Sequence, residues 1–564
     1  MGFGATQYTA SADYTIQAQG HIVSSNPDTF TGPSINNIVG ADRFYNAGFT
    51  GSGVVASNIE AGHAWSGHST LGHISAFVEG GSGSQLGEID RHATWAAHAM
   101  GGRNSGLFGS NDFEAGIAPG ADLRSGAIAT SWSGTPYSLS FSISAATYFS
   151  AYASSVVGFG AADVINSSWG FTDPTGTNYF TSVIDGLAAQ NPNTTQVFSA
   201  GNNGAANTVG GAGSGYNSIT VGALENGGNS YDQIVNFSSH GPQDYFDNVS
   251  GLVTGVRAPV DIAAPGQNLT LAFYGGATGG NAGGTTGGGP TSYSGGVGGT
   301  SFSAPIVAGG VALMKDAADS FVASGTGING SGSALPSTAT DTRVIKAALL
   351  NAADKVRRDN GSAWDNGQSL VSGVVTTTQS LDYESGAGGM NLDKTFDQYL
   401  TGQTDILGTA GGVSAEDRGW DYATVGSVGQ STDIVLTSVF EGGTEFTATL
   451  AWFRDRETNA STSSTTDLAY ADLDLQIWDA TFTTLIAESI SDYNPVEHLH
   501  FTLDSDTALG LRVNFDEMRF GTENDVVYGL AWNGTLIPEP SSLILLCFGG
   551  LLAVRRRRDQ AHGR

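Results

Sequence analysis

One serine of this 564-residue chain stands where a glycine-rich stretch meets a helix-forming one. Ser301 lies within the sequence Gly-Thr-Ser-Phe-Ser-Ala-Pro (299–305), and small apolar residues follow it at 306–314. Backbone N–H groups at a helix N-terminus have no partner within the helix, and the helix dipole is positive there. Such groups can stabilise the negative charge on a carbonyl oxygen under attack. The junction therefore favours nucleophilic catalysis by Ser301, and the alternative is a capping serine of a buried helix.

The residues around Ser301 resemble the nucleophile motif of the subtilisin-like serine peptidases. In that family an acid, a histidine and an oxyanion asparagine precede the serine in this order. The resemblance implies an α/β fold with a largely parallel sheet flanked by helices. It also implies a serine endopeptidase that acts on proteins or peptides through an acyl-enzyme intermediate.

The segment Gly51–Gly62 predicts a strand that ends in a turn. In the family the catalytic aspartate stands at the end of such a strand, and the corresponding residue here is Glu60. Glutamate keeps the negative charge but adds one methylene group, so the backbone must lie further back or the side chain must bend. The resemblance implies that Glu60 is the acid of a Glu-His-Ser triad.

The family's histidine motif is matched at His92, Thr94 and Ala97, whereas other positions of the motif differ. The stretch between Glu60 and His92 leaves room for a strand, a loop and the start of a helix. The resemblance implies that His92 is the general base, and we interpret His98 as structural.

Two further strand ends supply the remaining candidates. Residues 161–170 predict a strand with a polar turn, and residues 195–204 predict a strand before a glycine turn. The resemblance implies that Asn202 and the backbone N–H of Ser301 bind the oxyanion. It also implies that a peptide pairs with the edges of the cleft, at Ser168, Trp169, Gly170, Ala200 and Gly201. From the residues alone, a buried strand and a turn asparagine are the alternatives.

The overall composition is acidic and poor in charged residues, with a net charge of −30, 13% charged residues and 82 glycines. These numbers, with 40% hydrophobic residues, indicate a loop-rich globular protein and exclude a disordered chain or a coiled coil. The acidic balance argues against nucleic acid as a partner, because few cations could replace its counterions. The single cysteine, Cys547, excludes an intramolecular disulfide.

Two sets of side chains could bind a metal ion, although the predicted chemistry requires no cofactor. Asp472, Asp474 and Asp492 could ligate a structural calcium ion, and a solvated acidic edge is the alternative. Three histidines recur at a five-residue spacing that does not place them on one helical face, so loop or core positions are the alternative to a metal site: His63, His68 and His73.

The chain divides into four parts. The lead segment 1–35 shows no clear period and lacks the pattern of a secretory signal peptide. A peptidase domain is predicted over 36–400, where the glycine-rich stretch 275–299 predicts a long flexible loop that we interpret as an insertion. Short alternating runs over 415–535 predict an antiparallel β-sandwich, similar to the jelly-roll-like domain after many such catalytic domains.

The last part, 536–564, resembles the PEP-CTERM sorting signal of some Gram-negative bacteria. Pro538-Glu539-Pro540 precedes an apolar run at 543–554 and four arginines at 555–558. The resemblance implies export to the cell envelope or surface and processing by a membrane enzyme of the exosortase type. The apolar run predicts a short transmembrane segment of about 18 Å, with the arginines on the cytoplasmic side. A plain C-terminal membrane anchor is the alternative.

A second function also fits these residues. The changed acid and the altered histidine motif would suit a decayed peptidase scaffold that acts as a cell-surface binding protein. The serine, histidine and asparagine of the motifs favour the enzyme instead.

Overall fold

The computed structural model describes residues 6–9, 14–19, 21–25, 34–79, 88–104, 115–135, 138–156, 161–227, 230–247, 251–276, 289–324, 337–404, 418–459 and 461–535. The sorting tail and its predicted transmembrane segment lie outside these residues. Within them, no helix combines the length and the hydropathy needed to span a lipid bilayer.

The helices of these residues are α1 Ile35–Ile38, α2 Asp42–Asn46, α3 Arg91–Gly101, α4 Ala145–Val156, α5 Tyr179–Gln190, α6 Thr300–Ser324, α7 Thr342–Asn351 and α8 Leu392–Tyr399, with a 3₁₀ turn at Ser337–Thr340. The strands are β1 Thr6–Thr9, β2 Tyr14–Gln19, β3 His21–Ser25, β4 Val55–Glu60, β5 Ala76–Glu79, β6 Asp122–Ala127, β7 Ser131–Thr135, β8 Ser138–Ile143, β9 Val164–Ser167, β10 Phe171–Thr172, β11 Thr195–Ser199, β12 Gly210–Gly211, β13 Ile219–Leu224, β14 Gln243–Asp247, β15 Gly251–Arg257, β16 Ile262–Pro265, β17 Leu269–Ala272, β18 Tyr293–Gly298, β19 Ser369–Val371, β20 Val374–Thr377, β21 Arg418–Val425, β22 Ser431–Phe440, β23 Glu445–Trp452, β24 Asp455–Asn459, β25 Ser464–Asp479, β26 Leu485–Ser489, β27 Val496–Thr502, β28 Thr507–Phe520 and β29 Val526–Thr535.

A parallel sheet with the order β16-β13-β11-β9-β4-β6-β5 forms the centre of the part at 36–400. Neighbouring residues of each strand point to opposite faces. Val197 packs in the core formed with α3, α6 and α7, whereas Phe198 packs in the core formed with α4 and α5. The α/β fold with helices on both faces of a parallel sheet is thereby confirmed.

Helix α6 runs through the centre of this layer, and its residues 301–318 are buried. Gly309 shows why small residues are needed, since an added Cβ would lie 2.6 Å from Ile117 Cβ and 2.9 Å from the carbonyl oxygen of Met100. The predicted buried helix after Ser301 is confirmed.

The prediction of a flexible loop over 275–299 is wrong for its last part. Tyr293–Gly298 forms β18, which pairs antiparallel with β17 and β3, and Tyr293 and Val297 are fully buried. Residues 277–288 of the stretch lie outside the described residues. A high glycine content indicates a backbone that can adopt many conformations. Hydrogen bonds to strands far away in the sequence decide whether it forms a strand or a loop.

The lead segment also contains strands, although its sequence shows no period. Strand β1 pairs with β25, β2 pairs with β8, and β3 pairs with β18. The segment thus joins three different sheets, and β18 leads directly into Thr300 and Ser301.

The C-terminal part consists mostly of strands in antiparallel sheets, as predicted. One sheet has the order β21-β29-β23-β27, and the other has the path β19-β20-β26-β25-β28-β22. Side chains of both sheets, such as Leu450 and Leu473, form one apolar core, so we call residues 418–535 the β-sandwich. Strands β19 and β20 join the second sheet from within 36–400, where β20 pairs in parallel with β26.

Candidate active site

The carboxyl ends of β4, β9 and β11 meet at one edge of the parallel sheet, where the N-termini of α3 and α6 also lie. Glu60, the last residue of β4, is fully buried. Its Oε2 accepts a hydrogen bond from His92 Nδ1 at 3.2 Å, and its Oε1 accepts one from the backbone N–H of Ser168 at 2.8 Å. The two carboxylate oxygens therefore bind two different donors.

His92 lies in the first turn of α3, where the helix begins at a capping aspartate. The Asp90 carboxylate accepts from the backbone N–H groups of His92 at 3.0 Å and Ala93 at 3.4 Å. Burial alone would lower the pKa of His92, but the hydrogen bond and charge of Glu60 and the charge of Asp90 outweigh it and raise that pKa. A protonated imidazole is thus stabilised, which a general base requires.

The structure does not join Ser301 to His92 by a hydrogen bond. His92 Nε2 is buried without a hydrogen-bond partner in the described part of the chain, and Ser301 Oγ donates to the carbonyl oxygen of Ser168 at 3.3 Å. A serine hydroxyl has one proton, so proton transfer to His92 requires that Ser301 exchange this bond. Catalytic hydrogen bonds of this kind often form only when substrate binds.

Asn202 is oriented by the residue that precedes the serine. Its Oδ1 accepts from the backbone N–H of Thr300 at 2.9 Å and from Thr300 Oγ1 at 3.0 Å. The hydroxyl of Thr300 accepts in turn from the N–H of Gly201 at 3.0 Å. With Oδ1 held, the side-chain amide presents Nδ2 as its donor end. The sequence analysis missed this role of Thr300, although its place next to Ser301 in the motif was a signal.

The other candidate residues lie along the two strand ends beside Ser301. Ser168 acts through its backbone, which contacts both Glu60 and Ser301. The side chain of Trp169 belongs to the core, because its indole N–H donates to the carbonyl of Ile59 at 3.1 Å and its ring contacts Phe198.

The glycines and the alanine of this set lie just after the ends of β9 and β11. Gly170 lies beside β12, where an added Cβ would come within 3.3 Å of the Gly211 carbonyl oxygen. Ala200 is buried, and Gly201 has a left-handed backbone with φ of 106°. Such a backbone favours glycine, which explains the residue type next to Asn202.

Two of the three carboxylates of the acidic set in the β-sandwich are buried, whereas Asp492 is exposed. Asp472 and Asp474 lie on the inner strand β25 and are 2% and 8% exposed. Arg519 Nη2 contacts Asp472 Oδ2 at 2.7 Å and Asp492 Oδ1 at 2.8 Å. Burial raises the pKa of Asp472 and of Asp474 to about 7. The pairing of β25 with two neighbours, which the sequence does not reveal, takes these carboxyl groups out of water.

The extra histidines occupy loop or core positions: His73 is half-buried, and the other three are buried. His63, His68 and His98 are 4%, 1% and 2% exposed. His68 Nε2 lies 2.9 Å from the Ser292 carbonyl oxygen, and burial lowers the pKa of His68 to about 4. Among the residues that the structure describes, no group of three or more His, Cys, Asp or Glu side chains is placed to hold a metal ion.

Comparison with known families gives two matches. Residues 57–377, more than half of the chain, match the model of the Subtilase family. Residues 536–558 match the PEP-CTERM protein-sorting motif. No curated protein sequence matches the chain. Both resemblances noted in the sequence are confirmed, and the second match indicates export and cell-surface sorting of the kind found in Gram-negative bacteria.

Proposed function

Because the chain belongs to the subtilase family of serine peptidases, we propose that it is an exported endopeptidase whose nucleophile is Ser301. The observation that carries the proposal is a chain of contacts at one sheet edge. Glu60 binds both His92 and the backbone of Ser168, and the carbonyl of Ser168 accepts from Ser301. Four residues that are far apart in the sequence thus share one buried network.

In the proposed reaction Ser301 Oγ attacks the carbonyl carbon of a substrate peptide bond. His92 Nε2 takes the hydroxyl proton and later gives it to the leaving amine. Glu60 supports this step from the other side of the ring, because a bond from Nδ1–H to Glu60 leaves Nε2 as the acceptor. Water then hydrolyses the acyl-enzyme, and His92 removes a proton from that water.

The proposed oxyanion site combines a side chain with a helix terminus. Asn202 Nδ2 and the backbone N–H of Ser301 donate to the oxygen of the tetrahedral intermediate. Thr300 prepares the first donor by holding Asn202 Oδ1 before substrate arrives. Loss of one such donor costs roughly 3–4 kcal/mol of transition-state stabilisation.

The substrate is proposed to bind as an extended peptide between two walls. One wall is the backbone of Ser168–Gly170, and the other is Ala200 and Gly201. Main-chain pairing of this kind accepts many side chains, which suits protein or peptide substrates. An exosortase-type membrane enzyme is the proposed partner for the sorting tail.

Labelling with an alkyl fluorophosphonate tests this function, since only an activated serine reacts. We expect the wild-type protein to label and Ser301→Ala to lose both labelling and casein hydrolysis while it stays folded. Ser303→Ala is the matched control, because this nearby buried serine donates to the Pro265 carbonyl and not to the site. Labelling that persists in Ser301→Ala would refute the mechanism. A wild-type protein that never labels would favour the surface-binding alternative.

A further inference from the structure

The two walls of the proposed substrate cleft continue into two neighbouring loops. After Ser168–Gly170 comes β10, which pairs antiparallel with β12. Strand β12 is tied to the second wall, because the Gly210 N–H donates to the Ala200 carbonyl at 3.0 Å. We call the segments that follow β10 and β12, residues 173–178 and 212–217, the first and second wall loops.

The second wall loop is held by a carboxylate on α5. Asp185 Oδ2 accepts from the N–H of Tyr216 at 3.0 Å, and its Oδ1 accepts from the N–H of Asn217 at 3.0 Å. The contact is close, since a Cβ added to Gly215 would lie 2.6 Å from Asp185 Oδ1. Asp185 is fully buried, and a buried carboxylate needs a partner of opposite charge.

That partner comes from the β-sandwich. Arg456, on β24, places Nη1 2.7 Å from Asp185 Oδ2, and the same nitrogen donates to the Gly176 carbonyl at 2.9 Å. Its Nε donates to Asp467 Oδ1 at 3.2 Å, and its side chain is fully buried. One guanidinium therefore contacts the first wall loop directly and the second wall loop through Asp185.

Neighbouring contacts keep β24 against the wall loops. The side chain of Asn217 donates to the Arg454 carbonyl at 2.8 Å and accepts from the Arg454 N–H at 2.9 Å. The guanidinium carbon of Arg454 also lies 4.4 Å from the centre of the Tyr216 ring. Because this network is buried, solvent screens its charges little, and each partner restrains the others.

We propose that Arg456 is a positioning residue of the peptidase: through Arg456 and Asp185, the β-sandwich sets the spacing of the two walls between which substrate binds. This inference rests on the proposed function of those walls. Arg456 acts through α5 and the first wall loop, where it contacts Asp185 and Gly176. Glu60, His92 and Ser301 belong to other elements, β4, α3 and α6. A change at Arg456 therefore alters substrate binding more than the reactivity of Ser301.

The test separates binding from chemistry with the full-length protein. Arg456→Lys keeps the charge but lacks the planar fork that reaches three partners at once. For a fluorogenic tetrapeptide that the wild type cleaves, we expect KM to rise about 10-fold or more. The kcat and the labelling rate with a small alkyl fluorophosphonate should stay within about 2-fold. Asp185→Asn should also raise KM, and this change leaves Arg456 paired with Asp467.

Arg512→Lys is the matched control, since Arg512 pairs with Asp433 at 2.7 Å within the β-sandwich. Its KM should equal that of the wild type. An unchanged KM in Arg456→Lys and Asp185→Asn, with only a lower thermal midpoint, would overturn the proposal, as would equal losses in kcat and labelling. If Arg456→Lys does not fold by circular dichroism, Asp185→Asn decides. A wild type that neither labels nor cleaves refutes the proposed function instead, which is a distinct result.

Discussion

Replacing Glu60 tests how the longer acid works in this site. Its two oxygens accept from two donors, His92 Nδ1 at 3.2 Å and the Ser168 N–H at 2.8 Å. In Glu60→Gln the amide offers one acceptor and one donor end, so one of these donors must face an N–H₂ group. If His92 changes tautomer to avoid that contact, Nε2 carries the proton and can no longer accept one from Ser301.

The expected loss in kcat for Glu60→Gln approaches about 10⁴-fold, the scale of an acid-to-amide change in a serine protease triad. Glu60→Asp keeps the charge but withdraws the carboxylate by roughly one carbon–carbon bond, about 1.5 Å. On the present backbone, the 3.2 Å contact with His92 then exceeds hydrogen-bond range. A charge-assisted bond of about 1.5–3 kcal/mol is lost, which lowers kcat about 10- to 150-fold.

The assay is kcat and kcat/KM on a fluorogenic peptide from pH 5 to 9, with Glu88→Gln as a control at a nearby exposed acid. The base must be neutral to act, so wild-type activity falls as the pH drops through the pKa of His92, which Glu60 helps to raise. In Glu60→Gln the residual activity should therefore extend to lower pH. Near-full activity of Glu60→Gln would refute the assignment and direct attention to Asp90. Full activity of Glu60→Asp would show that the backbone can adjust to the shorter acid.

The other predictions concern stability, maturation and access. The pKa of buried Asp472 and Asp474 is raised to about 7. Between about pH 4 and pH 7 the folded state therefore keeps protons that the unfolded chain releases. The free energy of unfolding should fall across this range by up to about 4 kcal/mol per group. Denaturant unfolding at pH 5 and pH 8 measures this fall, and Asp474→Asn should reduce it; equal stability at both pH values would contradict the assignment. The mature protein from its host should lack the residues after about 540, and mass spectrometry that finds the four arginines in the exported form would exclude sorting by cleavage. Strand β2 pairs with β8 and contacts β10, while β3 pairs with the strand before Ser301. A chain without residues 1–25 should therefore label faster with the fluorophosphonate. An equal or slower rate would show that this segment does not restrict access to Ser301.

Much of the candidate site could be predicted because its members lie in short local patterns. A strand that ends in an acid, a helix start with a histidine and a glycine turn before a serine are each contiguous in the sequence. The resemblance of these patterns to the family's motifs named Glu60, His92, Asn202 and Ser301 before their distances were known, and parallel strands bring their carboxyl ends to one edge. The α/β fold and the C-terminal β-structure followed from the same local patterns and from the family resemblance.

Other features depend on residues that meet only after folding. The bond from Ser301 Oγ to the Ser168 carbonyl, with His92 Nε2 left without a partner in the described part of the chain, depends on how separate strands and helices are placed. The glycine-rich stretch becomes a strand because β17 and β3 supply its hydrogen bonds, and Asp472 is buried because β25 is an inner strand.

The contact between Arg456 and Asp185 spans 271 residues of sequence. Local propensity and periodicity describe the neighbours of a residue along the chain. Burial, charge pairing and strand order are set by the packing of the two parts against each other, and only the tertiary structure decides them.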